Sequence, residues 1–480
     1  MVYYLIGDIM EKDLVLIIGL CGESVFLQTD HFHQDGETIT IDSMYKEPGG
    51  KGYNQAIATK LMETNVAFIG AIGNDDYGKI CEDTLKKLGI EAYLIKKEEG
   101  TAFATILTDK KGNNQVSVYP GASSLLTKDD IDNYIHLFER ANFLLLTYEL
   151  EEEVLTHIYE LAEKYQIKII LNPAPYKNYS QNFLHKAFLI TPNLIEAKEM
   201  LNTDVSSYFE LGEKLKKSNF KNTIVTLGKD GVLLVNEDSN VVIPTIKEKT
   251  NVVDTTGAGD TLNGGLVAML NKGKDLIEAI AYSIFAASLS TEIKYVLPSI
   301  PSIKDISNLR VSLDKYNEYK GYLNTRKTVR AFLVNENKQY GMLKIEGKDE
   351  FGQRCHLETT GGGIENGELE IEALNREILE ETGYNGKIIS HLGYLVHEYN
   401  LIKRVSIASY YLVLVNTKNQ DNTKYTNEES SLIKGIKWMN YDELKTNLNQ
   451  NKYPCDYLVQ MRELEALKLL DRYLQEENND

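Results

Sequence analysis

Nearly continuous apolar runs alternate with amphipathic stretches through most of the N-terminal part of the chain. The runs read LVLIIGL, VAFIGAIG, ANFLLLTY, KIILNPAP, AFLITPN and NTIVTLG, and the first begins at Leu14. Stretches with helical periodicity lie between several of them, for example Glu152–Tyr165 and Tyr208–Ser218. Apolar strands separated by helices predict an α/β fold, in which helices cover both faces of a mostly parallel sheet.

Two further stretches alternate apolar and polar residues, which is the pattern of a half-exposed strand. They run from Glu37 to Tyr45 and from Phe103 to Val118. A small sheet with one exposed face can close over a site on a larger domain. The sequence therefore predicts a small β lid in addition to the main sheet.

The pattern changes after Pro301. The stretch from Lys304 to Lys327 is polar and only weakly periodic, and the residues beyond it combine strands with one strongly acidic helix, Glu370–Glu381. A C-terminal helix is predicted from Tyr457 onward. We therefore expect a first domain at 1–310, a linker at 311–327 and a second domain of the α+β class at 328–480.

Composition and charge limit the class of protein and its partners. With 480 residues the chain has room for two or three domains, and its net charge of −18 opposes nonspecific binding to nucleic acid. The apolar stretch from Leu14 to Leu20 is shorter than the roughly 20 residues that cross a bilayer, and it lacks a signal-peptide cleavage pattern. The four cysteines form no C-x-x-C pair, so we expect a cytoplasmic protein with no nucleic-acid or membrane partner.

The segment GAGD at Gly257–Asp260 is the first that suggests chemistry. Its glycines allow a sharp turn, and the apolar-periodic residues after them predict a helix. The N–H groups and the dipole at a helix N-terminus suit a phosphoryl group, and an aspartate in that turn can act as a general base. The alternative is a glycine-rich turn in which Asp260 is an ordinary helix-start residue.

Three other segments carry polar residues at turns that follow apolar strands or enter helices. GGKGYNQAIA offers Lys51 and Asn54 for substrate hydroxyls, and TPNLIEA places Asn193 and Glu196 three residues apart, which suits a magnesium ion or its water ligands. TLGKDG at Thr226–Gly231 could supply backbone contacts to a nucleotide. Phosphoryl transfer needs mainly positioning and charge stabilisation, which such turns provide.

In this order, the four segments resemble those of the ribokinase-like (PfkB) family of carbohydrate and nucleoside kinases, over nearly all of residues 14–305. The resemblance implies that Asp260 is the catalytic base and that ATP and magnesium are used. It implies an anion hole at Gly257, Ala258 and Gly259, and a metal–phosphate pair at Asn193 and Glu196. The other implied residues are Thr226, Gly228 and Gly231 for ATP, Gly50, Lys51, Asn54, Glu149 and Asp254 for the acceptor, and Asp254, Thr256 and Ser299 for a potassium ion.

One departure from the family pattern concerns the acceptor. Gly22 and Ser24 stand where ribokinase has an asparagine and an aspartate. That aspartate grips a sugar diol through charge-assisted hydrogen bonds, which the serine hydroxyl at the same substrate-binding position does not equal. Ribose is therefore in doubt, and another sugar or a nucleoside fits as well.

Residues 362–384, GGIENGELEIEALNREILEETGY, form a second chemical motif. Helical spacing puts Glu377, Glu380 and Glu381 on one side of the predicted helix, where like charges repel unless a cation binds among them. Arg376 can brace one of these glutamates. The alternative is a solvated acidic helix, which is the usual meaning of a charge run.

This motif has the spacing of the Nudix box, G-x5-E-x7-R-E-U-x-E-E-x-G-U, with Tyr384 at the last apolar position. The residues from about Val329 to Leu470 resemble a Nudix hydrolase domain, and the resemblance implies an α/β/α sandwich. The resemblance implies magnesium-dependent hydrolysis of a nucleoside diphosphate linked to another group. It implies metal ligands at Glu377, Glu380 and Glu381, and a supporting ligand or base at Glu368. Glu428 and Glu429 are candidate bases outside the box.

The sequence is compatible with three hypotheses for the whole chain. The favoured one is a bifunctional enzyme that acts on small molecules, a sugar or nucleoside in the first domain and a diphosphate in the second. In the second hypothesis the Nudix domain senses a nucleotide and regulates the kinase without catalysis, and in the third the chain is an inactive scaffold. The PfkB resemblance also implies a homodimer that forms through the lid.

Overall fold

A computed structural model describes residues 12–110, 114–247, 251–450 and 453–477, except for the side chains of Asn427, Glu428 and Cys455. The chain divides into two compact units, Met1–Ile306 and Ser307–Asp480. In the described ranges no helix is both long and apolar enough to cross a membrane.

The first unit contains a large sheet, a small sheet and the helices around them. Its strands are β1 (Leu14–Ile18), β2 (Gly22–Gln28), β3 (Ser43–Gly49), β4 (Asn65–Ile72), β5 (Glu91–Lys96), β6 (Ala102–Thr108), β7 (Asn114–Tyr119), β8 (Ala141–Thr147), β9 (Lys168–Asn172), β10 (Leu189–Ile190), β11 (Asn222–Thr226), β12 (Val232–Asn236) and β13 (Asn240–Ile243). Its helices are α1 (Lys51–Leu61), α2 (Asp76–Lys87), α3 (Lys128–Asp132), α4 (Ile135–Arg140), α5 (Glu152–Lys164), α6 (Asn182–Lys186), α7 (Leu194–Met200), α8 (Tyr208–Lys217), α9 (Ala258–Asn271) and α10 (Leu276–Ser290).

The large sheet confirms the predicted α/β class. Its strand order is β13-β12-β11-β10-β9-β8-β1-β4-β5, and every neighbouring pair from β11 to β5 is parallel. The two remaining pairs, β11 with β12 and β12 with β13, are antiparallel. All five residues of β1 are buried, as expected for a central strand with both faces covered.

The small sheet has the order β3-β2-β6-β7 among the described strands. The strand that the pattern placed at Glu37–Tyr45 begins later, at Ser43, because β2 ends at Gln28 and Ser43 is the residue opposite it. Every residue of β7 is exposed, so this edge of the small sheet faces solvent.

The second unit is a mixed sheet between two helical layers, which agrees with the predicted sandwich. Its elements are β14 (Leu309–Ser312), β15 (Asn324–Val334), β16 (Tyr340–Asp349), β17 (Gly352–Glu358), α11 (Glu370–Thr382), β18 (Tyr384–Tyr399), β19 (Arg404–Gln420), α12 (Asn427–Leu432), β20 (Ile433–Met439), α13 (Tyr441–Leu448) and α14 (Tyr457–Glu477). The strand order is β14-β18-β19-β15-β16-β17, and β20 pairs with β16. Helix α11 packs on one face, against Val329 and Ala331, while α14 packs on the other, against Phe332 and Leu412.

The polar interval 311–327, expected to be a linker, carries structure of its own in the second unit. Strand β14 pairs in parallel with Tyr394–His397 of β18. The Asp314 carboxylate accepts a hydrogen bond from the Asn400 N–H at 2.8 Å, and the Tyr322 hydroxyl donates to Glu398 at 2.5 Å. A strand of four residues among polar neighbours is too short to give a clear periodic signal, which explains why the pattern suggested a connection.

Candidate active sites

Two helices of the first unit begin at glycines that no other residue could easily replace. Gly50 precedes α1 with φ 113°, and Gly257 precedes α9 with φ 79°. A Cβ atom at Gly257 would lie 2.5 Å from Cγ1 of Val296, and one at Gly50 would lie 2.4 Å from the carbonyl oxygen of Leu20. Both turns therefore combine a left-handed backbone with close packing, and they bring two helix N-termini together.

Asp260, in the first turn of α9, is held by side chains from α1. Asn54 Nδ2 donates to Asp260 Oδ2 at 3.0 Å, and Gln55 Nε2 donates to Asp260 Oδ1 at 3.0 Å. The aspartate is buried, with 7% of its surface exposed. Burial raises the pKa of Asp260, while Lys51 and the two amides oppose the rise. A fixed carboxylate whose pKa is raised is suited to accept a proton.

Lys51 and three carboxylates form the charged centre of this site. Burial opposes the charged form of Lys51, but Asp260, Glu149 and Glu196 outweigh it and raise the pKa of the lysine. Glu149 holds the start of α1, since its carboxylate accepts hydrogen bonds from the N–H groups of Lys51 at 3.0 Å and Gly52 at 3.1 Å. Both carboxylate oxygens of Glu149 therefore accept hydrogen bonds from the backbone. Its contact with an acceptor stays a prediction.

Asn193 and Glu196 form a reciprocal cap at the start of α7. Glu196 Oε2 accepts from the Asn193 N–H at 2.8 Å, and Asn193 Oδ1 accepts from the Glu196 N–H at 2.9 Å. Burial raises the pKa of Glu196. Both residues line a small cavity that Asp260 and Lys51 also line, so the predicted metal–phosphate pair lies at the same site as the predicted base.

The predicted nucleotide residues line a second cavity, of about 360 Å³. Its lining includes Thr226, Gly228 and Gly231, together with Ala258 and Gly259 of the α9 turn. Thr226 and Gly259 also line the small cavity with Asp260, so the two cavities adjoin. Of the three residues of the predicted anion hole, Ala258 donates its N–H to the carbonyl of Thr255 at 3.3 Å.

The residues predicted to surround a potassium ion are linked through one segment. Asp254 Oδ1 accepts from the Thr256 N–H at 2.9 Å, and Oδ2 accepts from the Tyr295 N–H at 3.0 Å. The Ser299 hydroxyl donates to the Val296 carbonyl at 2.8 Å. Val296 is also the residue whose side chain packs against Gly257, so this segment supports the α9 turn.

Ser24 lies beside Asn54, one of the predicted acceptor residues, and its partner across the small sheet is Glu47. A Cβ at Gly49 would lie 2.2 Å from Ser24 Oγ and 3.8 Å from Asn54 Oδ1, so both side chains adjoin the same glycine. Glu47 stands directly opposite Ser24 in the register of β2 and β3. Its carboxylate accepts hydrogen bonds from the N–H groups of Val296 and Leu297, and burial raises its pKa to about 7.

Gln55, Asn263 and Glu47 also belong to this site, although the sequence motifs do not predict them. Gln55 follows Asn54 in the GGKGYNQ segment and lies one helical turn after Lys51, which is the signal that could have revealed it. Asn263 accepts a hydrogen bond from the Thr191 hydroxyl at 2.6 Å and donates to the Gly259 carbonyl at 2.9 Å. For Glu47, the available signal is an acidic residue immediately before a Pro-Gly-Gly turn.

In the second unit, Arg376 gathers the glutamates of the acidic motif. Its guanidinium forms two hydrogen bonds to Glu368, at 2.8 and 2.9 Å, and a third to Glu377 at 2.8 Å. The same group lies 3.3 Å from Glu380. The hydrogen bonds from Arg376 lower the pKa of Glu368 to about 2. The arginine therefore balances much of the like-charge repulsion that the sequence spacing predicts.

Glu381 is more deeply placed than the other glutamates of α11. Its Oε2 accepts from the Gly361 N–H at 2.8 Å, and 8% of its surface is exposed. Burial, followed by the charge of Glu358, raises the pKa of Glu381 well above its usual range. Burial also raises the pKa of Glu377, which the charges of Glu380 and Glu429 increase further. Glu428, the other candidate base, has a side chain outside the described part of the molecule.

The carboxylates of α11 lie around Arg376 rather than at metal-ligand spacing. Within the described residues, no group of three or more His, Cys, Asp or Glu side chains is arranged to hold a metal ion, and this includes the predicted ligands Glu368, Glu377, Glu380, Glu381 and Glu196. The donor set is nevertheless all carboxylate oxygen, which magnesium prefers. Burial is the largest cause of the raised pKa of Glu377 and of Glu381, and neighbouring carboxylates add to it.

Comparison with known proteins agrees with this geometry. Residues 12–303 match the sequence profile of the pfkB family of carbohydrate kinases. The chain belongs to the pfkB family. In this family member the kinase domain is followed by a NUDIX domain, which matches residues 324–457.

The relatives of the pfkB domain include several ribokinases. A ribokinase from Staphylococcus aureus (strain COL) is 31% identical over 304 residues, which span 62% of this chain and 99% of that protein. A deoxyribokinase from Salmonella typhi is 26% identical over 311 residues, or 64% of this chain and 98% of that protein. A crystal structure of ribokinase from Thermotoga maritima has a TM-score of 0.55 and 32% identity, and the match covers 61% of this chain and 97% of that chain.

Proposed function

We propose that this pfkB family member is bifunctional, with an ATP-dependent kinase for a sugar or nucleoside in its first domain and a magnesium-dependent hydrolase for a nucleoside diphosphate derivative in its second. The observation that carries the kinase is the environment of Asp260. Its two carboxylate oxygens are fixed by Asn54 and Gln55, in the first turn of a helix that begins at a left-handed glycine.

Asp260 is the proposed general base of the kinase. Its carboxylate accepts the proton of the acceptor hydroxyl, while Lys51 and the first-turn N–H groups of α9 offset the negative charge that develops on the phosphoryl oxygens. ATP supplies the phosphoryl group, and a magnesium ion near Asn193 and Glu196 would neutralise its charge. Thr226, Gly228 and Gly231 would contact the nucleotide in the adjoining cavity.

Asp254, Thr256 and Ser299 are the proposed neighbours of a potassium ion. The Tyr295–Ser299 segment joins Asp254 to the residue that packs against Gly257. A cation held there would stabilise the turn at which α9 begins. Potassium would therefore act on the shape of the anion hole rather than on the acceptor.

Glu377, Glu380 and Glu381 are the proposed metal ligands of the hydrolase, supported by Glu368. Magnesium held by these carboxylates would lower the pKa of a bound water. Arg376 orients the glutamates, and Glu429 is the favoured base outside the box because its charge already acts on Glu377. The alternative, a nucleotide sensor, has no need of this set of carboxylates.

The protein is also proposed to form a homodimer. The exposed side chains of Phe103 and Tyr119, which stand opposite each other on β6 and β7 of the lid, support a homodimer formed through this sheet, since adjoining exposed apolar side chains are favourable to bury. For the domains, expected at 1–310 and 328–480 with a linker between them, we propose that the hydrolase domain also includes residues 307–327, because the chain divides into compact units between Ile306 and Ser307.

A screen of both reactions tests the proposal. ADP formation is measured with ribose, deoxyribose, other pentoses and hexoses, and nucleosides, because relatives are named ribokinase and deoxyribokinase. We expect turnover with at least one acceptor, and weaker use of ribose than of an acceptor without a vicinal diol at the Ser24 position. Hydrolysis of nucleoside diphosphate derivatives is measured with magnesium, as formation of the nucleoside monophosphate. Tight nucleotide binding without hydrolysis would favour the sensor hypothesis.

A further inference from the structure

A row of polar side chains lies on the α14-facing side of the second-unit sheet. Alternation along β15 puts Arg326, Thr328 and Arg330 on the face that also carries Phe332, which packs on α14. The parallel register places Arg326 opposite Ser406, two residues after Arg404 on β19. His397 of β18 also stands opposite Ser406. Three arginines and a histidine therefore share one region of one face.

The positive charge of this region is only partly balanced. Arg330 has acidic neighbours, with Glu358 at 3.6 Å and Glu463 at 4.0 Å. In the described part of the chain, neither Arg326 nor Arg404 has an acidic side chain within ion-pair distance, and Arg404 donates instead to Asn324 Oδ1 at 2.8 Å. Partial burial and then repulsion from Arg404 and Arg330 lower the pKa of Arg326. An anion bound between these groups would relieve the repulsion.

Buried polar atoms on the same face also lack protein partners. Thr328 is 7% exposed, and its Oγ1 has no hydrogen-bond partner among the described residues. The same holds for Nε of Arg330 and Nδ1 of His397 within those ranges. Burial, followed by nearby arginines, lowers the pKa of His397 well below its usual range, so the imidazole is neutral and adds hydrogen-bonding capacity without charge. Such atoms are uncommon in a folded protein and point to a polar ligand.

The arginine region begins next to the acidic motif. A Cβ at Gly363 would lie 2.3 Å from Nη2 of Arg326, and a Cβ at Gly362 would lie 2.4 Å from Oε1 of Glu377. The guanidinium and the carboxylate therefore pack against consecutive glycines of the loop that leads into α11. A ligand bound at the glutamates is within reach of Arg326 through a second anionic group.

We propose that Arg326, Arg330 and Arg404, together with the Thr328 hydroxyl, bind a phosphate monoester of the hydrolase substrate. The substrate class would then be a nucleoside diphosphate derivative that carries a phosphate in addition to its pyrophosphate. Guanidinium groups match phosphate oxygens in pairs, which explains arginine rather than lysine at these positions. This inference rests on the proposed function of the second domain.

Matched ligand pairs that differ by one phosphate test the inference on the full chain. The pairs are NAD⁺ with NADP⁺, in which the phosphate is on the nucleoside, and ADP-ribose with ADP-ribose 1″-phosphate, in which it is on the distal sugar. Binding is measured by calorimetry in EDTA, so that turnover is not required. We expect at least one phosphorylated member to bind tenfold or more tightly than its partner, and that pair locates the phosphate.

Arg326→Gln and Arg404→Gln supply the variants, and Lys445→Gln on α13 is the control that removes one exposed positive charge elsewhere in the unit. In each arginine variant we expect the Kd of the phosphorylated member to rise at least tenfold more than that of its partner. The control should keep the preference. Because the arginines repel one another, their replacement should not lower the thermal unfolding midpoint, which separates lost binding from lost folding.

The outcomes also separate this inference from the proposed hydrolase. Equal affinity for both members of each pair, or a preference that survives in the arginine variants, would overturn the phosphate site. Magnesium-dependent hydrolysis without any phosphate preference would do the same and leave the hydrolase proposal intact. A preference that depends on the arginines, in a chain without hydrolysis, would support the site and overturn the hydrolase.

Discussion

At the scale of single residues, both proposed sites depend on groups that hold the candidate catalytic carboxylates. Asn54 and Gln55 fix Asp260 in the first unit, and Arg376 fixes the box glutamates in the second. The sequence pointed to Asp260 and the glutamates because each lies in a motif with fixed spacing. It did not point to Gln55 or Glu47, because their partners are far away in the chain and only the fold brings them together.

Glu358 provides a test of the charge network beneath the second site. Burial alone would raise its pKa, but Arg330 and Arg462 outweigh burial and lower the pKa to about 2. Because this value lies below the ordinary value of 4.5, the ionised glutamate stabilises the folded unit above pH 4.5, and that stability is lost as the pH falls towards 2. The shift corresponds to up to ~3 kcal/mol at neutral pH.

Glu358→Gln should therefore destabilise the second unit at pH 7 and lose this effect near pH 2. The difference in the free energy of unfolding is measured by urea unfolding at several pH values. The fluorescence of Trp438, the single tryptophan of the chain, reports the unfolding of the second unit. Glu350→Gln, at an exposed position in the turn between β16 and β17, is the matched control. A difference between Glu358→Gln and the native chain that stays constant from pH 7 to pH 3 would contradict this account.

At the scale of elements, helix starts and strand order account for most of what could be predicted. Apolar runs such as β1 and β8 predicted a mostly parallel sheet because strands with two covered faces have no polar side. The helices predicted at Glu152 and Glu370 begin at those residues. The strand β14 was missed because its pairing with β18 is a long-range contact that local periodicity does not reveal.

Gly257→Ala tests whether the turn before α9 shapes the kinase site. An alanine there would have a strained φ of about 79° and a Cβ in contact with Val296. A left-handed conformation costs a non-glycine residue roughly 1–2 kcal/mol, and the contact must displace the helix start. We expect kcat of the kinase to fall at least tenfold while magnesium-dependent hydrolysis is retained.

Gly273→Ala is the control for backbone strain alone. Gly273 follows α9 with φ 74°, and a Cβ there would have no heavy atom within 4 Å. This variant should lose stability of similar size but keep its kinase kcat. Equal loss of kcat in the two variants would mean that strain in the fold, and not the position of the α9 turn, limits the reaction.

At the scale of the whole molecule, the chain joins two compact units, for each of which we propose a phosphate-handling site of different design. The first uses a helix start beside a buried aspartate, and the second uses glutamates gathered on a helix. Family resemblance predicted both designs from local motifs. It did not predict the arginine region of the second unit, because that region is assembled from β15 and β19, about eighty residues apart in sequence.

Reciprocal variants, assayed for both reactions in the full chain, measure the central claim directly. Asp260→Asn should reduce ATP-dependent phosphorylation of the acceptor by a factor of 100 or more and leave magnesium-dependent hydrolysis within twofold of the native rate. Glu380→Gln should have the opposite effect. Loss of both reactions in either variant, in a chain that remains folded, would contradict the account of two separate active sites.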